Sequence, residues 1–370
     1  MAEVQKIVGL MSGTSLDGID AALVETDGEA VAVPGPAIGV AYEPDMRALL
    51  RQALDDAQAH AAGAPVPWSI RDAERRLTEA HAEAVKALLE KAGLAPRQVS
   101  LVGFHGQTIL HRPAQRWTWQ IGDGALLARL TGIDVVNDFR SADVKAGGQG
   151  APLVPLYHAA LVKKAGRFDL PVVLVNIGGV SNVTYIGKDG VLAFDTGPGN
   201  APIDDWMHRH SGRPVDENGD FARTGKVDEA ALTAMLANKF FPLTPPKSLD
   251  RLDFTTSAVE HLSPQDGAAT LTAFTAAAIA RAREHFADIP NAWIVMGGGR
   301  HNKTMMDALR ARVNAPVLSA EDAGWNGDFV EAEAFAYLAA RSVKGLPLSL
   351  PTTTGVREPM TGGKLHRASG

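Results

Sequence analysis

Apolar and polar positions divide this 370-residue chain into short strands and longer helices. Runs of branched apolar residues predict buried strands, whereas apolar positions three and four apart predict helices with one buried face. The pattern predicts strands at 7–11, 19–25, 99–104, 135–136, 172–175, 183–186, 191–195 and 294–296. It predicts helices at 46–61, 69–92, 201–210, 267–284 and 329–341.

The first two predicted strands enclose the segment SGTSLDG, which carries more hydrogen-bonding groups than a turn requires. Gly13 and Gly18 let a ligand come close to the backbone, because neither residue has a Cβ. Hydroxyls and backbone N–H groups there could hold a phosphate. The carboxylates of Asp17 and Asp20 would repel that phosphate unless Mg²⁺ lay between them. A plain polar hairpin turn is the alternative.

The opening pattern recurs near the middle of the chain. Strand 172–175, the glycine turn NIGGVSN and strand 183–186 repeat the order of strand, polar hairpin and strand. Each hairpin opens roughly half of the chain, so we expect a duplicated unit. A third glycine site, residues 297–299, follows an apolar run and offers a flat backbone surface for a base or sugar. A plain strand-to-helix turn is the alternative reading of that site.

Asp195 is the best candidate for a general base. It ends the apolar strand that precedes the turn TGPGN, so its carboxylate is expected to be exposed in a cleft. Capping of the next helix is the alternative use of this side chain, but Asn200 lies closer to the start of that helix.

Other polar side chains follow strands in the positions where α/β sheets usually bind ligands. His105 is either a hydrogen-bonded structural residue or a base. Gln107 and Thr108 carry neutral donor and acceptor groups that suit sugar hydroxyls. Arg140 either forms a surface ion pair or holds a substrate carboxylate. Glu331 precedes the apolar face of the last long helix and could tilt into the cleft.

Composition excludes several classes of function. The net charge of −6 argues against a nucleic-acid binder, and the absence of cysteine excludes disulfides, zinc–thiolate sites and a thiol nucleophile. No apolar run is long enough to span a membrane. Neither a Walker A motif nor a dinucleotide fingerprint occurs. We expect a soluble, cytoplasmic protein with no nucleic-acid or membrane partner.

The motifs together resemble those of the anhydro-N-acetylmuramic acid kinases of the actin/hexokinase/Hsp70 superfamily. They are GLMSGTSLDGID, HGQT, DFR, AGGQGAPLVP, NIGG, FDTGPGN, GGG and TTTG, in that order along essentially the whole chain. The resemblance implies an α/β fold: a duplicated, two-lobed actin-like ATPase (ribonuclease H-like) fold with a central cleft. The first lobe would comprise residues 1–140 with about 345–370, and the second residues 141–344.

The resemblance also implies ATP, Mg²⁺ and a small-molecule anhydro-amino sugar, with Asp195 activating a water. The product would be N-acetylmuramic acid 6-phosphate, in peptidoglycan recycling. A conventional sugar kinase and a non-catalytic sugar or nucleotide sensor are the alternatives, and a homodimer is left open. The expected ATP contacts are Gly13, Thr14, Ser15, Leu16, Asp17, Gly18, Ile19, Asp20, Gly178, Gly179, Gly297, Gly298, Gly299 and Asn302. Asp17 is also expected at the metal, directly or through water, and His105, Gln107, Thr108, Arg140 and Glu331 at the substrate.

Overall fold

The structure is a computed structural model that describes residues 3–13, 15–61, 63–249 and 254–368. Its strands are β1 (Gln5–Ser12), β2 (Gly18–Thr26), β3 (Ala32–Ala41), β4 (Leu101–Arg112), β5 (Trp117–Ile121), β6 (Val135–Asn137), β7 (Val172–Ile177), β8 (Val180–Ile186), β9 (Val191–Pro198), β10 (Ala292–Met296), β11 (Val317–Ser319) and β12 (Lys364–His366). Its α-helices are α1 (Pro44–Ala59), α2 (Trp68–Ala92), α3 (Gly124–Thr131), α4 (Ser141–Lys145), α5 (Pro155–Ala165), α6 (Ala201–Ser211), α7 (Glu229–Leu236), α8 (Pro264–Arg281), α9 (Lys303–Arg310), α10 (Val330–Val343) and α11 (Pro351–Thr354).

The chain divides into two compact units that share one sheet topology. Unit 1 is Met1–Gly166 with Phe329–Gly370, and unit 2 is Arg167–Asp328. The strand order is β12–β6–β4–β1–β2–β3 in unit 1, where β5 also pairs with β4, and β11–β10–β7–β8–β9 in unit 2. In each, three antiparallel strands are followed by strands parallel to the first of them. The predicted α/β fold and its duplication are therefore confirmed.

In unit 1 the sheet is covered on both faces, and glycines determine how closely α10 approaches. Gly9 and Gly103 are paired across β1 and β4. A Cβ on Gly9 would lie 1.8 Å from the Ala332 carbonyl oxygen, and one on Gly103 would lie 2.0 Å from the Phe335 carbonyl oxygen. The backbone of α10 therefore rests directly on the backbone of the sheet, while α1, α2 and α3 pack on the opposite face.

This packing corrects the expected borders of the first lobe. Helix α10 lies on β1, β2 and β4, so it belongs to unit 1 although the border at 345 placed it in the second lobe. Helix α5 also belongs to unit 1. Tyr157 on α5 donates a hydrogen bond to the buried Glu333 carboxylate on α10 at 2.8 Å. The chain therefore leaves unit 1 after residue 166 rather than after residue 140.

The core of unit 2 lies between its sheet and the helices α6, α7, α8 and α9. Trp206 is completely buried there and donates its indole N–H to the Pro264 carbonyl at 2.8 Å, so it is a packing residue. Helix α8 is alanine-rich and buried along almost its whole length. Among the described residues of both units, no helix is both long and apolar enough to cross a bilayer.

We expect Gly103→Ala to destabilise unit 1 by about 2–4 kcal/mol, because the new methyl group would overlap the Phe335 carbonyl and push α10 away. Thermal and denaturant unfolding followed by circular dichroism would measure this. Gly39→Ala in β3 is the matched control, since its Cβ would meet nothing closer than 3.5 Å. Equal stability of the two variants would contradict the backbone contact between α10 and the sheet.

Candidate active site

The β1–β2 hairpin ends in a tight turn with polar atoms at its surface. Leu16 donates its backbone N–H to the Gly13 carbonyl at 3.2 Å, and Ser15 Oγ donates to Asp17 Oδ1 at 2.7 Å. The side chains of Ser15 and Asp17 are exposed, so a ligand can reach them. Thr14, which was expected at the same site, lies outside the described residues.

Two residues expected at the nucleotide point into the core instead. The side chains of Leu16 and Ile19 are 4% and 1% exposed and pack in the cluster beneath α1 and α2. Leu16 has a φ of 56°, the left-handed region, and this bends the hairpin tip while its side chain stays inside. Only the backbone atoms of these two residues remain available to a ligand.

Gln107 anchors the base of the same hairpin. It is fully buried, and its Oε1 accepts a hydrogen bond from Ser12 Oγ at 2.7 Å. Because the Ser12 hydroxyl has one proton, Tyr42 is the donor in the 2.8 Å contact between the two hydroxyls. Burial, together with nearby carboxylates, raises the pKa of Tyr42, which keeps this phenol protonated. The Gln107 side chain is thus engaged within the protein, and its expected contact with the substrate stays a prediction.

His105 is likewise engaged within the protein. Its Nε2 accepts from Arg140 Nε at 3.0 Å, so Nδ1 carries the proton and donates to the Gly106 carbonyl at 2.8 Å. Burial and the Arg140 charge both lower the pKa of His105 well below its usual value, and the ring packs on Phe335 at 4.5 Å. Both nitrogens of the neutral imidazole are engaged within the protein, and the hydrogen bond to Arg140 orients that guanidinium. A contact between His105 and the substrate stays a prediction.

Arg140 is held from several sides but remains partly exposed. Its Nη1 donates to the Gly150 carbonyl at 2.7 Å. Burial lowers the pKa of Arg140 to about 10, and the nearby carboxylates of Glu331 and Asp143 oppose that change. Glu331 is exposed in the first turn of α10. Unit 1 therefore brings Arg140 and Glu331 near each other, and their contact with the substrate stays a prediction.

The Asp143 carboxylate organises the loop that supports Arg140. It accepts hydrogen bonds from the Gly150 N–H at 2.6 Å, from Thr354 Oγ1 at 2.6 Å and from Ser349 Oγ. The motifs AGGQGAPLVP and TTTG, far apart in sequence, are joined through this one side chain. Thr108, the remaining expected substrate residue, is half-buried and accepts from Gln120 Nε2 at 3.2 Å.

In unit 2 the two later glycine sites lie side by side. The Asn200 N–H donates to the Gly178 carbonyl at 2.7 Å, and Asn200 Nδ2 donates to the Ile177 carbonyl at 3.3 Å. A Cβ on Gly299 would lie 2.3 Å from Ile177 Cγ2, so the glycine turn after β10 packs against the same hairpin. The start of α6, the β7–β8 hairpin and residues 297–299 thus form one surface.

The glycines of these sites fall into two groups according to what surrounds them. A Cβ on Gly18, Gly297 or Gly299 would collide with protein atoms at 2.3–2.4 Å, so these three glycines serve the packing of the chain. The second group is different, because its nearest protein atoms lie at 3.4–3.7 Å; its members are Gly13, Gly178, Gly179 and Gly298. Packing alone does not account for glycine at those four positions.

Asn302 has a structural role. Its Oδ1 accepts the Met305 N–H at 2.9 Å and caps α9, and the residue is buried. Sequence reasoning did not identify Arg300, which anchors the glycine turn before it. Arg300 is buried and donates to Glu321 at 3.0 Å, to Asp328 at 2.8 Å and to the Gly297 carbonyl at 3.0 Å. An arginine directly after three glycines was the only available signal.

Asp195 lies inside β9, which continues to Pro198, rather than at the end of the strand as predicted. It pairs with Asn182 of β8, and the register shifts at the next residue, Thr196. Asp195 Oδ2 accepts the Leu249 N–H at 2.8 Å. Burial raises the pKa of Asp195 to about 7, although the Leu249 N–H opposes the change. A carboxylate with this pKa can take a proton near neutral pH.

The architecture and the glycine turns define the class of protein. Two units with the same strand order, each opened by a glycine hairpin, have the duplicated ribonuclease H-like fold of the actin-like ATPases. The profile of the anhydro-N-acetylmuramic acid kinase family matches residues 5–368. The chain belongs to that family and is a phosphotransferase.

Curated relatives agree with the profile. The anhydro-N-acetylmuramic acid kinase of Methylobacterium nodulans is 53% identical over 98% of this chain and 100% of its own length. That of Bradyrhizobium diazoefficiens is 54% identical over 97% of this chain and 98% of its own. Among solved structures, a ROK family glucokinase from Streptomyces griseus aligns over 90% of this chain and 98% of its own, with 17% identity and a TM-score of 0.43. That score is too low to bear on the site.

We expect Gly179→Val to weaken ATP binding by about tenfold or more while leaving the melting temperature nearly unchanged, because the nearest atom to its Cβ is 3.6 Å away. Gly299→Ala is the matched comparison, and it should lower the melting temperature because its Cβ overlaps Ile177. Calorimetry and thermal unfolding measure the two effects. Unchanged ATP affinity in Gly179→Val would show that this hairpin is only a turn.

Proposed function

We propose that this enzyme uses ATP and water to open 1,6-anhydro-N-acetylmuramic acid and to phosphorylate O6, giving N-acetylmuramic acid 6-phosphate for peptidoglycan recycling. Family membership supports the kinase activity. The observation that carries the proposal is the Asp195 carboxylate, whose pKa of about 7 suits a general base.

The substrate explains why the base must act on water. In the anhydro-sugar O6 is bonded to C1 as an ether and carries no proton for a base to remove. Water attacks C1 from the face opposite O6 and gives its proton to Asp195, and the C1–O6 bond breaks. O6 forms a bond to the γ-phosphorus while the bond from that phosphorus to ADP breaks. The phosphoryl group thus replaces the general acid of an inverting glycosidase.

The nucleotide is assigned to the open glycines and the polar hairpin tip. Gly13, Gly178, Gly179 and Gly298 leave room for phosphates, and Ser15 offers an exposed hydroxyl. Asp17, exposed at the same tip, provides the hard oxygen ligand that Mg²⁺ prefers, directly or through water. No group of three His, Asp or Glu side chains within the described residues could hold a metal by itself, which suits an ion that also binds phosphates. Bound there, Mg²⁺ would neutralise phosphate charge.

The sugar is assigned to Arg140, Glu331 and Thr108. His105 and Gly150 fix two edges of the Arg140 guanidinium, and the partly exposed remainder suits the lactyl carboxylate of the substrate. Exposed Glu331 and the half-buried Thr108 hydroxyl suit the hydroxyl and amide groups of an amino sugar.

Asp195→Asn should lower turnover about 10²–10⁴-fold and largely preserve nucleotide affinity, because it removes the base at constant size. In the wild type, the base form is lost as pH falls through the raised pKa of about 7. kcat/KM should therefore drop about tenfold per pH unit below that value and level off above it. Steady-state kinetics across pH test both expectations, and near-normal turnover of Asp195→Asn would refute the assignment.

The source of the new oxygen separates this reaction from that of a conventional kinase. In ¹⁸O-water, quenched before the anomeric centre exchanges, the product should carry one label at C1 and none in the phosphate ester. Early NMR should show a single anomer, with inverted configuration at C1. Unlabelled sugar would indicate a conventional kinase, and label in the phosphate would indicate prior ATP hydrolysis. Either outcome overturns the proposal.

A further inference from the structure

A short segment after α7 runs alongside β9 and contacts Asp195 twice. The Asp195 N–H donates to the Lys247 carbonyl at 2.9 Å, and the Leu249 N–H donates to Asp195 Oδ2 at 2.8 Å. Residues 247–249 thus form hydrogen bonds with both the backbone and the carboxylate of Asp195. The Leu249 N–H opposes the burial-driven rise in the pKa of Asp195, because it stabilises the ionised carboxylate.

The side chain of Lys247 ties this segment to the turn that follows α7. Its ammonium donates to the Phe241 carbonyl at 2.7 Å and to the Phe240 carbonyl at 3.3 Å. The same nitrogen lies 4.6 Å from the centre of the Phe240 ring and 5.8 Å from that of Phe194. Phe194 is the residue before Asp195 on β9, so the ammonium links the segment, the turn and the strand. Cation–π contacts of a partly buried ammonium strengthen such a link.

We propose that Lys247 is a positioning residue for Asp195: its ammonium holds residues 247–249 in place, so that the Leu249 N–H stays on the carboxylate and fixes the orientation in which it receives a proton from water. The inference rests on the proposed role of Asp195 as the base.

The groups around Lys247 make the link sensitive to pH. Burial, followed by the Arg281 charge, lowers the pKa of Lys247 to about 8, and Glu284 opposes the change. Among the described residues, His285 is a further titratable neighbour, and its Nε2 lies 3.5 Å from the ammonium. Above about pH 8 the ammonium loses its charge and with it the cation–π contacts, so residues 247–249 should loosen.

Lys247→Met tests the inference because it keeps the length and apolar character of the side chain and removes the charge. A Leu249 N–H that no longer reaches the carboxylate stops stabilising the ionised form of Asp195. The acid limb of kcat/KM should therefore move about one pH unit upward, and the rate at pH 7 should fall several-fold to about tenfold. The variant should recover at higher pH, whereas general structural damage would lower the rate at every pH.

Three further variants sharpen the test. Lys239→Met, an exposed lysine on the same turn, should leave the profile unchanged. Lys247→Arg keeps the charge and the donors, so it should retain the wild-type acid limb. In an Asp195→Asn background, Lys247→Met should cost nothing further, since the carboxylate that it positions is gone.

Amide hydrogen exchange of the peptide containing residues 245–249 gives a readout that does not depend on catalysis. Lys247→Met should speed exchange at Leu249, and Lys239→Met should not. If exchange speeds up and the acid limb stays in place, Lys247 holds the segment but does not position Asp195, and the inference fails. If exchange is unchanged, it also fails. If Asp195→Asn keeps near-normal turnover, the proposed function fails instead, whatever the exchange shows.

Discussion

Two glycines that face each other across neighbouring strands control how unit 1 is built. Because Gly9 and Gly103 have no side chains, α10 lies with its backbone against β1 and β4. That contact holds the helix close to the sheet. It sets Glu331 near Arg140, and it places Phe335 under the ring of His105, which in turn orients Arg140. The substrate-binding surface that we propose in unit 1 thus follows from a backbone contact in its core.

Two carboxylates, Asp143 in unit 1 and Asp195 in unit 2, differ in the hydrogen bonds that they receive. Asp143 accepts hydrogen bonds from Gly150, Ser349 and Thr354, and those bonds hold two distant motifs together. A carboxylate used in this way has little capacity left for a water molecule. Asp195 receives the Leu249 N–H, and burial leaves its pKa near 7. This difference fits a structural role for Asp143 and the catalytic role that we propose for Asp195.

Sequence patterns predicted the duplication, eight of the twelve strands and five of the eleven α-helices in the described part of the chain, because apolar periodicity and glycine turns are local signals. The strands β3, β5, β11 and β12 and the helices α3, α4, α5, α7, α9 and α11 were not predicted. The sequence does not show which glycines pack tightly against other protein atoms. Gly18 and Gly299 are packed, whereas Gly13 and Gly179 are open, and all four look alike in the sequence. The side chains of His105, Gln107 and Asn302 looked like ligands because they are polar and follow strands. Their partners come from elsewhere in the fold, so only the structure reveals that they are already engaged.

The same long-range dependence explains the expected borders and the residues that were missed. A border at 345 seemed natural because α10 follows unit 2 along the chain, yet its packing partners are β1 and β4. Arg300 donates to the Gly297 carbonyl and to Asp328. Lys247 donates to the Phe241 carbonyl and lies near the Phe194 ring. None of these partners is adjacent in the sequence. Roles of this kind leave no local pattern, although an arginine after three glycines and a lysine after two prolines mark their places.

The discontinuity of unit 1 has a consequence for synthesis on the ribosome. Strands β1 to β6 are translated before unit 2, and α10 and β12 after it. The glycine-lined face of β1 and β4 therefore stays uncovered while all of unit 2 is being made. Nascent chains with uncovered apolar surface are the usual clients of chaperones and the usual source of aggregates. Unit 2 is one continuous stretch and has no such delay, so the half of the molecule that is translated first is the half that is completed last.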